Sequence, residues 1–150
     1  MRRMMLLALA ATALSACASV EPGMTWSVDE NRDEGVKLVL GREGTDDVRL
    51  MATCPPHSGA VRLTVVGREG EPAVVELHSG KLWNRYVGAG VADEETLGGL
   101  DTQFELSAAD PVLARVADTG ELTVVLGRRR MVLPNGFAQA HDFLRRCQRG

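Results

Sequence analysis

Aromatic residues, cysteines and excess positive charge are all scarce in this sequence. Aromatic side chains make up 4% of the 150 residues, which argues against a stacking platform for bases or sugars. Lys and Arg number 17 against 20 Asp and Glu, a net charge of −3. Nucleic-acid binding needs clustered cations to neutralise phosphates, so we expect no nucleic-acid partner. The 45% hydrophobic and 25% charged residues fit a single globular domain.

Sequence motifs for metal binding and for catalysis are also lacking. The three cysteines form no C-x-x-C pair and have no clustered histidines beside them, so neither a metal nor another cofactor is expected. The histidines His57, His78 and His141 are scattered, without a G-x-S-x-G or S-x-x-K motif. We therefore expect a protein that is not an enzyme. A small periplasmic hydrolase using Ser79 and His57 stays an alternative, because geometry rather than spacing defines catalytic triads.

The first residues have the pattern of an export signal. Arg2 and Arg3 precede an apolar run from Met4 to Leu14, in which Thr12 is the only polar residue. The run is too short to cross a bilayer as a helix, which takes about 20 residues. A basic start followed by a short apolar run is typical of a secretory signal peptide.

The residues that end this run carry a more specific pattern. Leu14-Ser15-Ala16-Cys17 resembles the lipobox of bacterial lipoproteins, with a branched apolar residue, two small residues and a cysteine. The resemblance covers only the first 17 residues. It implies removal of residues 1–16 and acylation of Cys17, and several buried acyl chains together anchor a protein stably. An ordinary signal peptide cleaved near Ala16 or Ala18 is the alternative.

The same resemblance bears on location. No Asp follows the cysteine at Ala18 or Ser19, and in lipoproteins this absence goes with sorting to the outer membrane. We expect a palmitate-bearing protein of the cell envelope, anchored in the outer membrane and facing the periplasm.

After the cysteine, the chain is acidic and poor in apolar residues as far as Gly35. With the acylation of Cys17 that the lipobox resemblance implies, we expect a lipidated N-terminus and acidic tether over residues 17–35. The composition predicts that this tether is partly disordered, with Trp26 as a first contact onto the domain. A single β-rich domain is then expected over residues 36–150.

Two cysteines remain once Cys17 is assigned to the lipid. In an oxidising periplasm, Cys54 and Cys147 are most simply explained as one disulfide. Cys54 shares a strand face with Leu50, and Cys147 shares a helix face with Leu144. Both cysteines therefore point toward a core, and two buried free thiols are the alternative.

Alternating apolar and polar residues predict a mainly β fold. The predicted strands cover residues 36–40, 48–54, 61–65, 73–77, 82–87 and 103–106, and a hairpin covers 122–126 and 131–133. Asp110 and Pro111 begin a short helix that Gly120 ends. Asn135 caps a second helix over residues 137–146, docked through Phe137, Leu144 and the disulfide. We predict a small antiparallel β-sandwich or curled barrel, with the C-terminal helix packed on the sheet.

Basic residues concentrate near the C-terminus, whereas acids dominate residues 18–47. The cluster comprises Arg128, Arg129, Arg130, Arg145 and Arg146. It is a candidate face for lipid phosphates, anionic lipid or an acidic protein. The alternative is a solvated hairpin tip and helix end, balanced by the acidic N-terminal half.

These features favour a non-catalytic envelope lipoprotein with a binding or structural domain, whose partner is an envelope protein or the cell wall. A narrower version rests on a second resemblance. His78-Ser79-Gly80 and Tyr86 resemble the S-x-S-G-x-x-Y stretch of membrane-anchored lysozyme inhibitors, small β-barrel lipoproteins with one disulfide. Here Leu77 replaces the first serine, and the tyrosine follows the glycine by six residues instead of three. This resemblance implies lysozyme binding.

Overall fold

A computed structural model describes residues 21–67, 74–92 and 100–149. The predicted mainly β fold is confirmed, since these residues form ten strands in two antiparallel sheets and two helices. The strands are β1 (Thr25–Asn31), β2 (Gly35–Gly41), β3 (Val48–Cys54), β4 (Ala60–Val65), β5 (Val74–Ser79), β6 (Leu82–Val87), β7 (Ala89–Ala92), β8 (Leu100–Ser107), β9 (Thr123–Leu126) and β10 (Arg129–Val132). The helices are α1 (Pro111–Thr119) and α2 (Phe137–Cys147).

The two sheets are not closed into a barrel. The larger sheet has the order β1-β2-β3-β4-β8-β7, and the smaller has the order β10-β9-β5-β6. Helix α2 packs against β1 and β2, whereas α1 packs against α2 and the β5–β6 hairpin. The expected docking of the C-terminal helix on the sheet is therefore confirmed.

The core lies between the two sheets and the helices. Alternate residues of each strand point inward, as the two-residue period of a pleated strand requires. The most deeply buried large aliphatic side chains come from both sheets and from α1, and are Leu40, Leu50, Val61, Leu63, Val65, Val75, Leu77, Val112, Val124 and Leu126. Neither helix in the described residues has the length and hydropathy that crossing a membrane requires.

The predicted disulfide is confirmed. Cys54 and Cys147 are bonded, with their Cα atoms 5.6 Å apart, and both are buried. The bond joins the last residue of β3 to the last residue of α2, so it fixes the end of the helix on the larger sheet.

Helix α1 begins and ends where the sequence predicts. The Asp110 carboxylate accepts hydrogen bonds from the backbone N–H groups of Val112 and Leu113, which satisfies donors that the helix leaves free. Gly120 ends the helix with φ +72°, a left-handed conformation that glycine adopts without a Cβ clash.

Helix α2 departs from the prediction at its start. The N-cap position is Gly136 rather than Asn135. Asn135 acts from one residue earlier: its Oδ1 accepts the N–H of Phe137 at 3.2 Å and its Nδ2 donates to the carbonyl of Thr119. Of the three contacts predicted to dock the helix, Leu144 and the disulfide are confirmed, but Phe137 is wrong, because it is 49% exposed while Phe143 is buried in its place. The buried side of α2 consists of Ala140, Phe143, Leu144 and Cys147, so Phe137 is not needed to pack the helix.

The interpretation of residues 25–35 as a disordered tether is also wrong. β1 pairs with β2 along its whole length, from Thr25 opposite Gly41 to Asn31 opposite Gly35. Trp26 packs against the core, as the sequence suggested. Asp29 and Glu30 are exposed on this strand, which lies at the edge of the described sheet. The segment therefore has the acidic composition of a tether although its backbone is paired. The domain therefore begins well before residue 36.

Candidate functional site

The outer face of the four-stranded sheet carries two ordered rows of side chains. The register of the four strands places one residue of each strand in each row. The first row is Trp83, His78, Thr123 and Val132. The second row is Arg85, Glu76, Val125 and Arg130. We call these eight residues the outer face of the small sheet.

The β5–β6 turn sets which side chains reach this face. Gly80 and Lys81 form a two-residue connection, and Gly80 has φ +59°, the conformation that glycine supplies in tight hairpin turns. Ser79 pairs with Leu82 across this turn, and Ser79 points inward. Because side chains alternate along a strand, the next pair, His78 and Trp83, must point outward.

Trp83 is the most prominent side chain of this face. It is 53% exposed, although a tryptophan normally buries most of its large apolar surface. Its indole stacks on the imidazole of His78, with ring centroids 5.7 Å apart and planes inclined by 15°. The stacking holds the indole upright on the sheet and leaves a large apolar surface in contact with solvent. Val87, on the same side of β6, is 77% exposed.

Glu76 is the charged centre of the second row. Arg85 Nη2 donates to Glu76 Oε1 at 2.7 Å, and His78 Nε2 lies 3.3 Å from Glu76 Oε2. The hydrogen bonds from Arg85 and His78 hold the pKa of the Glu76 carboxyl below its usual range. The face thus combines an apolar aromatic side chain with a fixed pattern of opposite charges.

A polar groove lies beside the first row, on the side of His78 away from Trp83. Its volume is about 330 Å³, and it runs between the outer face and the segments that flank α1 and α2. Its polar lining residues are His78, Glu121, Thr123, Arg130 and Asn135. Groups that donate and accept hydrogen bonds therefore lie on one side of Trp83, at the same face of the sheet.

The free edge of β6 borders this face. Among the described residues, β6 pairs only with β5, so its other side presents unpaired backbone groups. The N–H of Arg85 points to this side, where the side-chain Oδ1 of Asn84 accepts it at 2.9 Å. The charged Arg85 and this internal hydrogen bond make uncontrolled strand pairing less favourable. A partner is therefore expected to contact the side chains of this face rather than to pair with the backbone of β6.

The histidines and the serine nominated for a hydrolase lie apart. Ser79 is 1% exposed, and its hydroxyl is hydrogen-bonded to that of Thr119 at 3.2 Å. His57 lines a separate cavity beside the disulfide, and His141 lies near Phe137 on α2. The structure does not bring Ser79 and His57 together as a nucleophile and base. The described residues also contain no group of three or more acidic, histidine or cysteine side chains fit to hold a metal ion.

The residues that resemble the lysozyme-inhibitor stretch have internal roles. Ser79 faces the core, as described above. The Tyr86 hydroxyl donates to the carboxylate of Asp110 at 3.0 Å, and its ring stacks on Phe104. Burial and the Asp110 carboxylate raise the pKa of Tyr86 well above its ordinary value. Neither side chain is presented on the surface for a partner.

The five arginines nominated as one face are divided between two ends of the molecule. Arg129 Nη2 donates to the carbonyl of Val66 at 2.7 Å, beside the start of β3. Arg146 precedes Cys147, whose sulfur is bonded to the last residue of β3. β3 has 7 residues, so the two groups lie about 20 Å apart along the strand. The prediction of a single basic face is wrong.

The two groups also differ in their ion pairs. Arg145 and Arg146 both contact the Asp142 carboxylate, and Arg146 Nη1 donates to Glu30 Oε2 at 2.8 Å. Hydrogen bonds from these arginines lower the pKa of Asp142. The helix end is thus a balanced ionic network. Arg128 and Arg130 are exposed, and neither has an ion-pair partner among the residues that the structure describes.

The outer face of the small sheet was not among the predicted sites. The sequence places His78 on the polar side of its strand with Glu76, but Trp83 and Arg85 join them only through the strand register. One signal was present: Trp83 is one of two tryptophans and is followed in its strand by the polar residues Asn84 and Arg85. Comparison with protein-family models, with curated proteins and with solved structures found no match to this chain.

Proposed function

We propose that this protein is a non-catalytic, lipid-anchored component of the cell envelope that binds a partner protein through the β5–β6 half of the outer face of the small sheet. Trp83 is the central contact of this proposed interface. The exposed indole, fixed on His78 and flanked by the Arg85–Glu76 pair, is the observation that carries the proposal.

The composition of the face supports protein binding. Tryptophan and arginine are enriched among the residues that dominate binding energy at protein interfaces. Two of the exposed large hydrophobic residues, Trp83 and Val87, lie on the outward side of β6. Large exposed apolar side chains on one side of a strand, surrounded by polar residues, are typical of an interaction site.

The envelope location has support from two independent features. The lipobox pattern ending at Cys17 implies export and acylation. The disulfide between Cys54 and Cys147 is of the kind that persists in oxidising compartments such as the periplasm. Outer-membrane sorting is part of the proposal and rests on Ala18 and Ser19 after the cysteine.

The positions of the polar residues favour binding over hydrolysis. A serine nucleophile needs a base within hydrogen-bond reach, but Ser79 is bonded to Thr119 inside the fold. The residues that resemble lysozyme inhibitors are likewise used internally. Lysozyme is therefore one partner to test and not the partner proposed.

The anchor is tested with Cys17→Ser in the native host. We expect the variant to be released from the membrane fraction or to accumulate as uncleaved precursor, whereas the parent is acylated and sediments with membranes. A variant that is processed and fractionates like the parent rejects the lipid anchor.

The binding face is tested with a photo-crosslinking amino acid at position 83. Position 137 is the matched control, because Phe137 is an aromatic residue that is 49% exposed on another element. In intact envelopes we expect a discrete adduct from position 83, absent from position 137 and weakened by Arg85→Glu. The same adducts from both positions, or none from position 83, reject this face. Retention on immobilised lysozyme that Trp83→Ala leaves unchanged would favour an inhibitor acting through another surface.

A further inference from the structure

The N-terminal chain joins the domain at β10. The backbone N–H of Glu21 donates to the carbonyl of Val132, the last residue of that strand, at 3.3 Å. Met24, three residues later, is buried in the core. Glu21, the first residue that the structure describes, therefore lies at the β10 edge of the small sheet.

Very little chain separates this edge from the proposed lipid. Four peptide units connect Cys17 to Glu21, and fully extended they span at most about 14 Å. A tether extending to residue 35 would have let the domain move freely above the bilayer. With β1 folded into the sheet, the anchor keeps the β10 edge close to the membrane surface.

β10 crosses the end of the larger sheet. At one end Arg129 reaches the carbonyl of Val66, just after β4, and beyond the other end Pro134 accepts a hydrogen bond from Trp26 of β1. Three strand spacings separate β4 from β1, about 14 Å. β10 therefore lies across these strand ends of the larger sheet. The strand ends and β10 form one end of the molecule, and Glu21, the residue nearest the proposed anchor, lies at the same end.

This end carries the unpaired arginines. Arg128 lies in the β9–β10 turn and Arg130 is the second residue of β10; both are exposed and lack ion pairs with other described residues. Other cations at this end are already paired, since Arg42 and Arg49 contact Asp47. Among the described residues of this end, the exposed cations without an ion pair are therefore confined to this hairpin, with Arg130 two residues and Arg128 four residues from Val132, which contacts Glu21. The exposed acids Glu43 and Asp46 lie apart from them, in the β2–β3 turn of the same end.

We infer that the β9–β10 turn docks on the anionic lipid headgroups of the membrane that holds the anchor, with Arg128 and Arg130 as the contacts. The inference rests on the acylation of Cys17 proposed above. A cation near an anionic bilayer strengthens binding about fivefold, too little to hold a free protein but enough to orient one that is already tethered. The β6 edge lies three strand spacings from β10, so Trp83 stays accessible to a partner.

The test measures which residues approach the membrane. The full-length acylated protein is placed in nanodiscs of phosphatidylcholine, with or without phosphatidylglycerol, that contain a lipid with a gadolinium-labelled headgroup. We expect the backbone amides of residues 128–132 to be the most broadened in the anionic discs, and those of Arg146 and Trp83 to be the least. High salt should reduce the difference, because it screens surface charges.

Matched variants assign the effect to the two arginines. Arg128→Gln and Arg130→Gln should each lower the ratio of docked to free orientations about fivefold. Arg115→Gln, which removes an exposed arginine from α1, should leave the broadening unchanged. Equal broadening in both lipids, or strongest broadening at Arg146, overturns the inference. Broadening of the turn by soluble polyglutamate but not by anionic discs overturns it in favour of an acidic protein.

Mass spectrometry of the Cys17 peptide separates this inference from the proposed function. An unmodified Cys17 rejects the anchor, and the membrane docking falls with it. An acylated Cys17 without preferential broadening of the turn rejects the docking alone.

Discussion

The indole Nε1 of Trp26 donates a hydrogen bond to the backbone carbonyl of Pro134 at 2.7 Å. This bond joins β1 to the segment that leads into α2. Gly136 lies against the same indole, and a Cβ there would come within 2.7 Å of Nε1. The first strand and the last helix are therefore fitted to each other by one aromatic side chain, and the disulfide fixes the other end of that helix.

We predict that Trp26→Phe destabilises the protein by about 1–3 kcal/mol, because it removes the donor and leaves a partly buried carbonyl unpaired. Urea unfolding measures the change. Trp83→Phe is the control, since an exposed substitution is expected to cost less than about 0.5 kcal/mol. Equal losses for the two variants would contradict a structural role specific to Trp26.

The disulfide is predicted to contribute a large part of the stability. On the chain-entropy model, a bond that closes a loop of this length stabilises by about 4–5 kcal/mol, and residues 93 apart are joined here. Cys147→Ser should lower the melting temperature and expose a reactive thiol at Cys54. A reductant should produce the same shift in the parent and none in the double variant Cys54→Ser/Cys147→Ser. A reductant-insensitive parent would mean that the bond is absent in solution.

The single tyrosine gives a direct test of the buried Tyr86–Asp110 contact. Because the chain has one tyrosine, phenolate absorbance reports Tyr86 alone. Its pKa is raised by burial and by the Asp110 carboxylate. We expect little phenolate signal from the folded protein at about pH 11, and a full signal in urea at the same pH.

The same shift has a defined effect on stability. A raised pKa means that the folded state keeps the proton after the unfolded state has lost it. Stability is therefore unaffected below about pH 10 and falls as the pH rises above that value. Tyr86→Phe should remove this part of the alkaline loss. An identical alkaline dependence in both proteins would indicate that the hydroxyl is exposed to solvent.

The sequence was sufficient to predict those elements whose packing follows from the alternation of apolar and polar residues or from helix capping. β3 was predicted with its observed bounds, because Leu50, Ala52 and Cys54 alternate with more exposed residues. Helix α1 was predicted from Asp110 and Gly120, because the Asp110 carboxylate and the left-handed backbone of Gly120 act only on the adjacent ends of the helix. The disulfide followed from two cysteines on inward-facing positions.

Features that depend on long-range register were not predictable in this way. β1 has only Trp26 and Val28 as inward apolar residues, and its other residues are polar or acidic. The sequence therefore gives no clear strand pattern there, and the strand forms because β2 pairs with it. The outer face of the small sheet is assembled from four strands, so Trp83 meets His78 and Arg85 meets Glu76 only after the strands pair. Clustering near the C-terminus likewise suggested one arginine face, although the fold separates β10 from the end of α2.

The last prediction concerns Gly120 and uses another glycine as a matched control. Gly120 and Gly44 have nearly the same backbone conformation, with φ of +72° and +73°. A Cβ at Gly44 would meet nothing within 4 Å, whereas one at Gly120 would lie 2.4 Å from Asn135 Oδ1 and 2.5 Å from the backbone N of Phe137. Gly44→Ala should therefore cost only the left-handed strain, about 1–2 kcal/mol. Gly120→Ala should cost about 2–5 kcal/mol, because overpacking adds to that strain and displaces the Asn135 side chain from the start of α2. Urea unfolding of both variants measures the difference, and equal losses would show that the turn before α2 relaxes without resistance.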